Sequence, residues 1–529
     1  MRSSIRVRRS SFQTLSPRPL QGRYLASLAR PGGVPALVAI VLLCFLASLV
    51  VCEDPGRVLK YLAVSAAAVG YAVLVAKRPE WSFVLFLIVA SDFLGTLPSQ
   101  RLPLVRLGFG SVSLTDMLVL YPFLSSEADI IRGRKQRRES VFRRPILFLF
   151  LMVAIALLNS IVFQDVPYRN AIRTARPYLN YLYFFVLIDS IRDSAALRRV
   201  LKLTTVVVFL GCLLQIGQYL LALTKPDVLA AARHLMEQAD NPPMMVITVD
   251  GRLVVRYLTR TGNFAVLLFF ASLFFLLAAR TVKARLVAGI SMLVSGMSIA
   301  LTYGRSLSLL VIVGLAAGFF IEKDRRKKYT KILLLIAGIA LGATFALKTS
   351  SPGGDMSLVS SLWKRFVGTV QEIAGCTGTL GERIDILTTY MPVVLRGLPF
   401  GAGLGTGGVW DVGFLCFLLH FGILGPLFYV WILKAAVARF LDAYRQQGSP
   451  EAQTVLKGMT CYSVGQLAVL PIQDPFPHPL GILLLVFVLA VLECIGYLGY
   501  DKKSGEIPGG LSPGFHANAP ASSRGIALL

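Results

Sequence analysis

Long apolar runs, broken by short polar and basic connections, repeat along most of this 529-residue chain. A helix needs about 20 apolar residues to cross the hydrocarbon core of a bilayer. The runs are continuous rather than alternating, which favours helices over the strands of a closed barrel, the other structure that satisfies its backbone in lipid. The pattern therefore predicts an all-α, polytopic helical membrane protein with about 12–14 transmembrane helices.

Fourteen spans can be placed, at 34–51, 58–76, 81–97, 113–131, 145–163, 177–191, 200–223, 263–279, 286–303, 306–321, 332–347, 412–433, 457–473 and 480–498. The third, fourth and sixth are short or polar, and re-entrant segments are an alternative reading of those three.

Basic residues in the connections orient these spans, because cytoplasmic loops carry an excess of Lys and Arg. With the N-terminus inside, every even-numbered connection is cytoplasmic, and the basic blocks RGRKQRR and EKDRRKK both fall there. The resulting order is a basic cytoplasmic tail (1–33), eleven spans (34–347), a long periplasmic loop (348–411), three spans (412–498) and a disordered cytoplasmic tail (501–529).

The long loop has its own pattern of apolar residues. Over 383–396 they recur at helical spacing, which predicts an amphipathic helix lying along the membrane, and a similar helix is expected before it around Trp363. Gly403–Gly408 matches the letters GxGxxG, but no strand precedes it, so we interpret this stretch as a flexible turn rather than a nucleotide site.

Composition agrees with a membrane protein: 55% of the residues are hydrophobic, 16% are charged, and the mean hydropathy is +0.67. The net charge of +26 resembles that of a nucleic-acid-binding protein. The excess sits in the short connections, however, where it orients the helices, so no nucleic-acid partner is expected. The seven cysteines show no metal-ligand spacing, and no metal or cofactor is expected.

The predicted outer face is rich in arginine. Only four lysines fall there, whereas the arginines are those at 57, 101, 106, 169, 173, 176, 233, 252, 256, 260, 305, 365, 383 and 396. The planar guanidinium group binds phosphate and carboxylate through two hydrogen bonds and stays charged. The bias therefore indicates recognition of an anionic group on that face. The alternative is pairing with outer acids and lipid headgroups.

Three outer segments carry the candidate chemistry: RYLTRTGN over 256–263, TYGRS over 302–306, and GERID over 381–385 followed by PVVLRGLPFGAGLGTGG. In this order and spacing, together with Gly422-Ile-Leu-Gly425 in the next span, they resemble the O-antigen ligase/polymerase superfamily. The resemblance covers about residues 250–430. Members are integral-membrane glycosyltransferases that act on undecaprenyl-diphosphate-linked glycans at the periplasmic face of the bacterial inner membrane.

The resemblance implies a metal-independent, inverting glycosyltransferase whose arginines hold the diphosphate of the donor. Those arginines map to Arg305 and to Arg256 or Arg260, with Arg383 in the third segment; interfacial snorkelling is the alternative role for Arg305. Asp411 is the first candidate for the general base, followed by Glu382 and Asp385. Asp411 opens a predicted span, so an N-cap is its alternative role.

Ligases of this family carry a His-containing pair where this chain has Asp411-Val412, and polymerase-like members often place an acid there. The chain is therefore expected to polymerise glycan repeat units. The partners implied are a lipid-linked glycan donor, a glycan or lipid-linked acceptor, membrane lipids and other polysaccharide-assembly proteins. Three alternatives stay open. One is a ligase that attaches the glycan to lipid A-core, and another is a structural or assembly subunit. The third is a transporter or flippase for lipid-linked oligosaccharide, although the repeat symmetry of transporters is not evident.

Overall fold

A computed structural model describes residues 69–91, 103–107, 110–224, 244–249, 252–257, 262–302, 305–334, 378–397, 399–406, 413–446, 450–469 and 479–504. Two compact units divide the chain, Met1–Lys77 and Arg78–Leu529. Of the first, only a helical stretch over 69–77 is described. Everything below concerns the second unit.

This unit is mostly helical, as the apolar runs predicted, and two short antiparallel hairpins add to the helices. The helices are α1 (Glu80–Ser91), α2 (Leu114–Ile131), α3 (Arg143–Val162), α4 (Tyr168–Ala175), α5 (Leu182–Ser190), α6 (Ser194–Thr224), α7 (Gly262–Ala278), α8 (Val282–Leu301), α9 (Arg305–Ile321), α10 (Gly378–Arg396), α11 (Gly413–Phe421), α12 (Leu424–Gln446), α13 (Pro450–Val469) and α14 (Pro479–Ser504). Short 3-10 helices span Arg176–Tyr181 and Lys323–Arg325. The hairpins pair β1 (Pro103–Leu107) with β2 (Gly110–Ser113) and β3 (Met244–Val249) with β4 (Arg252–Tyr257).

Among the described residues, five helices are long and apolar enough to cross a membrane: Arg143–Val162, Ser194–Gly217, Val282–Leu301, Leu424–Arg445 and Gly481–Leu498. Three shorter apolar helices accompany them, at Glu80–Val89, Asn263–Ala278 and Ser306–Ile321. These helices are typical of a multi-pass helical membrane protein. The count of about 12–14 spans stays a prediction, since stretches such as 34–51 lie outside the described residues.

Some predicted boundaries were wrong. The single span expected over 412–433 is two helices, α11 and α12, separated at Gly422-Ile423, and the connection expected over 434–445 is part of α12. The backbone of Gly422 has φ of 58°, which a right-handed helix does not accommodate. At the C-terminus, α14 continues to Ser504, so the tail expected from 501 begins inside a helix. The predicted tail over 1–33 and the loop residues 348–377 lie outside the described residues.

Aromatic residues build the core where α1, α2, α5 and α14 meet. The ring of Phe83 lies 5.7 Å from that of Tyr183 and 5.4 Å from that of Phe487, centroid to centroid. The buried hydroxyl of Tyr183 donates to the carbonyl oxygen of Leu118 at 2.7 Å. A polar tip inside an apolar core needs such a partner, because an unpaired hydroxyl there is costly.

Ion pairs join connections that the charge pattern assigns to one end of the helices. They are Arg78–Glu80, Arg199–Glu80, Lys135–Asp129, Arg137–Glu127, Arg198–Glu451, Lys457–Glu322 and Arg439–Glu493. Arg138 belongs to the same end: its Nη1 donates to the carbonyl oxygen of Ile191 at 2.6 Å, and its guanidinium lies 4.2 Å from the ring centroid of Tyr497. Among the described residues, the Arg176–Asp116 pair lies at the opposite end of the helices, on the predicted periplasmic side.

Cations also cap the C-terminal end of α7. Lys328 Nζ and Arg325 Nη1 donate to the carbonyl oxygen of Leu277 at 2.6 and 3.1 Å. Such donors satisfy the last carbonyls of a helix and its negative dipole end. The pKa of Lys328 lies below the ordinary lysine value, first because partial burial disfavours the charged form and then because Arg285 and Arg325 repel it.

Candidate functional site

The glycine loop, residues 399–406 with the sequence PFGAGLGT, follows α10 directly and folds against the break between α11 and α12. The amide of Ala402 donates to the carbonyl oxygen of Leu419 at 2.6 Å, and the amide of Ile423 donates to that of Pro399 at 3.0 Å. Ala402 also packs in a buried apolar cluster, whose members are Val394 of α10 and Leu415, Cys416 and Leu419 of α11. The loop therefore joins the end of α10 to α11.

A second set of contacts ties the glycine loop to α3 and α4. Asn159 Nδ2, near the end of α3, donates to the carbonyl oxygen of Gly401 at 2.9 Å. A Cβ atom on Gly405 would lie 3.0 Å from backbone atoms of Asn170 and Ala171 in α4. Ring contact between Tyr178 and Phe421, at 5.6 Å, connects the 3-10 helix after α4 to the end of α11.

The turn expected at Gly403–Gly408 is present in the part that is described, residues 403–406, and it packs against neighbouring elements. Residues 401–404 are buried, and Leu404 is fully so. Gly401, Gly403 and Gly405 have φ of 81°, 86° and 84°, a region that side chains rarely adopt. The alternating glycines allow close approach of backbone to backbone.

The first-choice base, Asp411, and Arg260 lie outside the described residues. Glu382 and Arg383 lie in α10, Arg256 lies in β4 opposite Met245, and Arg305 is the first residue of α9. The side-chain positions of these four residues also fall outside the described part of the chain. Their convergence on one diphosphate thus stays a prediction.

Asp385 is the one predicted site residue whose exposure is described: it lies exposed on α10. The helix itself, predicted over 383–396, is present as Gly378–Arg396. Val394 of this helix is buried against α11, whereas Met391 and Leu395 are exposed. An exposed apolar face on a helix beside membrane spans is consistent with the expected position along the membrane surface.

One of the predicted outer arginines has a protein partner. Arg176 Nε donates to Oδ1 and Oδ2 of Asp116 at 2.7 and 2.9 Å, and its Nη2 also contacts Oδ2. This pair connects the 3-10 helix to the first turn of α2. The alternative role, pairing with an outer acid, therefore applies to Arg176.

Two other outer arginines form an exposed basic surface. Arg169 and Arg173 lie on α4, whose Ala171 is fully buried next to the glycine loop. The sequence placed both arginines outside but gave them no site, because the packing that brings α4 to the glycine loop joins residues more than two hundred positions apart.

Comparison with known proteins does not assign this chain to a family. A scan against protein-family models finds no match for this chain, and a search of curated proteins finds no similar one.

Proposed function

We propose that this protein is a membrane glycosyltransferase that polymerises undecaprenyl-diphosphate-linked glycan repeat units at the periplasmic face of the bacterial inner membrane. The proposal depends on the sequence resemblance over about residues 250–430. The observation that favours it is the packed glycine loop: it connects α10, which carries Glu382, Arg383 and Asp385, to the segment that contains Asp411. Candidate acids and arginines are thereby attached to one anchored stretch of backbone.

Anchoring of the glycine loop matters because glycosyl transfer depends mainly on how the reactants are positioned. The diphosphate is already a good leaving group, and a rigid scaffold that holds reactants in line supplies much of the rate. The glycine loop is held on one side by Asn159 and on the other by the backbone of Leu419. The loop thereby fixes the end of α10 against α11 while a lipid substrate enters and leaves.

In the proposed reaction, a hydroxyl of the acceptor glycan attacks the anomeric carbon of the donor. Asp411 accepts the hydroxyl proton, a new carbon–oxygen bond forms, and the bond from the anomeric carbon to the diphosphate oxygen breaks. The diphosphate leaves with the bonding electrons, and Arg305, Arg383 and Arg256 or Arg260 stabilise its added charge. One displacement inverts the anomeric centre, and no metal ion is needed if arginines supply the positive charge.

Reconstituted protein with purified lipid-linked repeat units tests this scheme. Asp411→Asn removes the base and should lower kcat about 100-fold or more, the range that general-base catalysis contributes. Arg305→Ala should lower activity strongly, and Arg305→Lys should restore only part of it, since lysine lacks the guanidinium fork. Arg144→Ala is the matched control, because Arg144 is an exposed arginine on the predicted cytoplasmic side. Full activity in both Arg305 variants would remove that residue from the mechanism.

A deletion strain separates the proposed function from its alternatives. Loss of long glycan with single-unit precursor on the outer leaflet supports a polymerase. Complete chains that never reach their acceptor indicate a ligase, and precursor confined to the inner leaflet indicates a flippase. Either of the last two results would contradict the proposal.

A further inference from the structure

Helix α4 presents a basic surface without an acid of its own. Its sequence, YRNAIRTA, contains two arginines and no carboxylate. Ala171 is fully buried, whereas Tyr168, Arg169, Ile172 and Arg173 are exposed. Arg173 is four positions after Arg169, so the two lie on one face of the helix.

No ion pair with a described residue neutralises the charges of Arg169 and Arg173. Arg176, the next basic residue along the chain, pairs with Asp116. Arg169 and Arg173 form no ion pair with any residue that the structure describes; the contact found for Arg169 is with the ring of Tyr168, 5.9 Å from its centroid. Two like charges one turn apart repel each other, and an anion between them would relieve that repulsion.

Position distinguishes this pair from basic residues elsewhere on the surface. The backbone of Asn170 and Ala171 lies against Gly405, and Gly405 is followed closely by the segment that holds Asp411. The glycine loop therefore contacts α4 at a point six positions before Asp411 in the sequence. Exposed Tyr168 and Ile172 give the same surface an amphipathic character typical of a membrane interface.

We propose that Arg169 and Arg173 bind the diphosphate of the lipid-linked glycan donor, in addition to the arginines named above. This inference rests on the proposed function. Guanidinium groups bind phosphate oxygens through paired hydrogen bonds, and a diphosphate has enough oxygens for both. The prenyl chain would lie in the adjacent lipid, and the glycan would point away from it.

Binding of geranylgeranyl diphosphate to the full chain in nanodiscs of zwitterionic lipid tests the inference. R169A/R173A should raise the Kd about tenfold or more, because two charge-assisted contacts are lost. R169K/R173K should recover part of the affinity, since charge remains while the fork is lost. R144A/K331A removes two exposed cations on the predicted cytoplasmic side and should leave the Kd unchanged. Thermal unfolding of each variant verifies that it is folded.

Several outcomes overturn the inference. Equal Kd values for wild type and R169A/R173A would do so, as would binding of geranylgeraniol as tight as that of its diphosphate. If nanodiscs containing anionic phospholipid abolish the difference between wild type and variant, the surface binds bulk headgroups instead. Its failure can be told from that of the proposed function. If the wild type binds the diphosphate and polymerises, and R169A/R173A does so equally well, the inference fails and the proposed function stands. If the wild type neither binds the diphosphate nor polymerises, both the inference and the proposed function fail.

Kinetics provide a readout that a merely structural role would not give. In the reconstituted assay, R169A/R173A should raise KM for the donor about tenfold with kcat largely kept, because the pair binds the donor before and during transfer. Asp411→Asn should instead lower kcat and leave KM for the donor largely unchanged. A fall in kcat with KM unchanged would contradict a donor-binding role for α4.

Discussion

Single residues show why the glycine loop has its sequence. Gly403 has φ of 86°, and a Cβ atom there would meet the hydroxyl of Ser160 and lie 3.0 Å from the amide nitrogen of the same residue. Gly422 has φ of 58°, and a Cβ atom there would meet the carbonyl oxygen of Pro399. At both positions a side chain meets rigid backbone as well as an unfavourable dihedral angle. Glycine is therefore required by the packing of two elements on each other.

Gly403→Ala should lower the free energy of unfolding by about 2 kcal/mol or more, from backbone strain and overpacking together. Gly289→Ala is the matched control: it lies in α8 with nothing within 4 Å of the added Cβ atom. That change should be neutral or stabilise by about 0.5–1 kcal/mol. Thermal unfolding in detergent compares the two variants. Similar transition temperatures for both would show that the loop tolerates a side chain.

At the scale of elements, the described part of the molecule depends on short segments that join long helices. The 3-10 helix Arg176–Tyr181 is attached to α2 through Arg176 and Asp116 and to α11 through Tyr178 and Phe421. Its residues thus connect the start of one helix to the end of another, next to α4 and the glycine loop. We expect the ion pair to matter for stability because both partners are partly buried: their side chains are 31% and 11% exposed.

A double-mutant cycle with Arg176→Gln and Asp116→Asn measures this contribution. The coupling energy should be about 1.5–3 kcal/mol, the range for hydrogen bonds to charged groups. The same cycle on Arg137 and Glu127, whose side chains are 46% and 19% exposed, should give less than about 1 kcal/mol. A coupling below about 1 kcal/mol for Arg176 and Asp116 would show that apolar contacts hold the 3-10 helix.

On the scale of the whole unit, charged residues divide the described chain into two ends. Glu80, Glu322 and Glu493 pair with cations from connections that all belong to one side in the predicted order. Arg176–Asp116, Asn159 and the glycine loop belong to the other side. Helices that cross a bilayer require this separation, because an ion pair within the hydrocarbon core is costly.

Labelling from one side of the membrane tests this division. In a background that lacks the native cysteines, Gln164→Cys should react with a membrane-impermeant maleimide from the periplasmic side, and Lys327→Cys should react only after the membrane is opened. Both positions are exposed. Labelling of both from the same side would contradict the predicted order of spans, and labelling of 164 only from inside would invert it.

The sequence by itself determined where most of the described helices lie. Spans predicted at 145–163 and 263–279 correspond to Arg143–Val162 and Gly262–Ala278, since a continuous apolar run of this length has few other structures available in lipid. It also determined which connections carry the positive charge. Residues such as Arg305 and Asp411 were selected by their motifs, and the described contacts do not reach their side chains.

Tertiary structure alone decided the break at Gly422, the burial of the glycine loop, the partner of Arg176 and the position of α4. Each depends on contacts between distant parts of the chain: Asn159 and Gly401 are 242 residues apart, and Arg176 and Asp116 are 60 apart. Hydrophobic periodicity reports only whether a residue fits a local element, whereas the room beside a glycine or the partner of a guanidinium is set by whichever segment packs there.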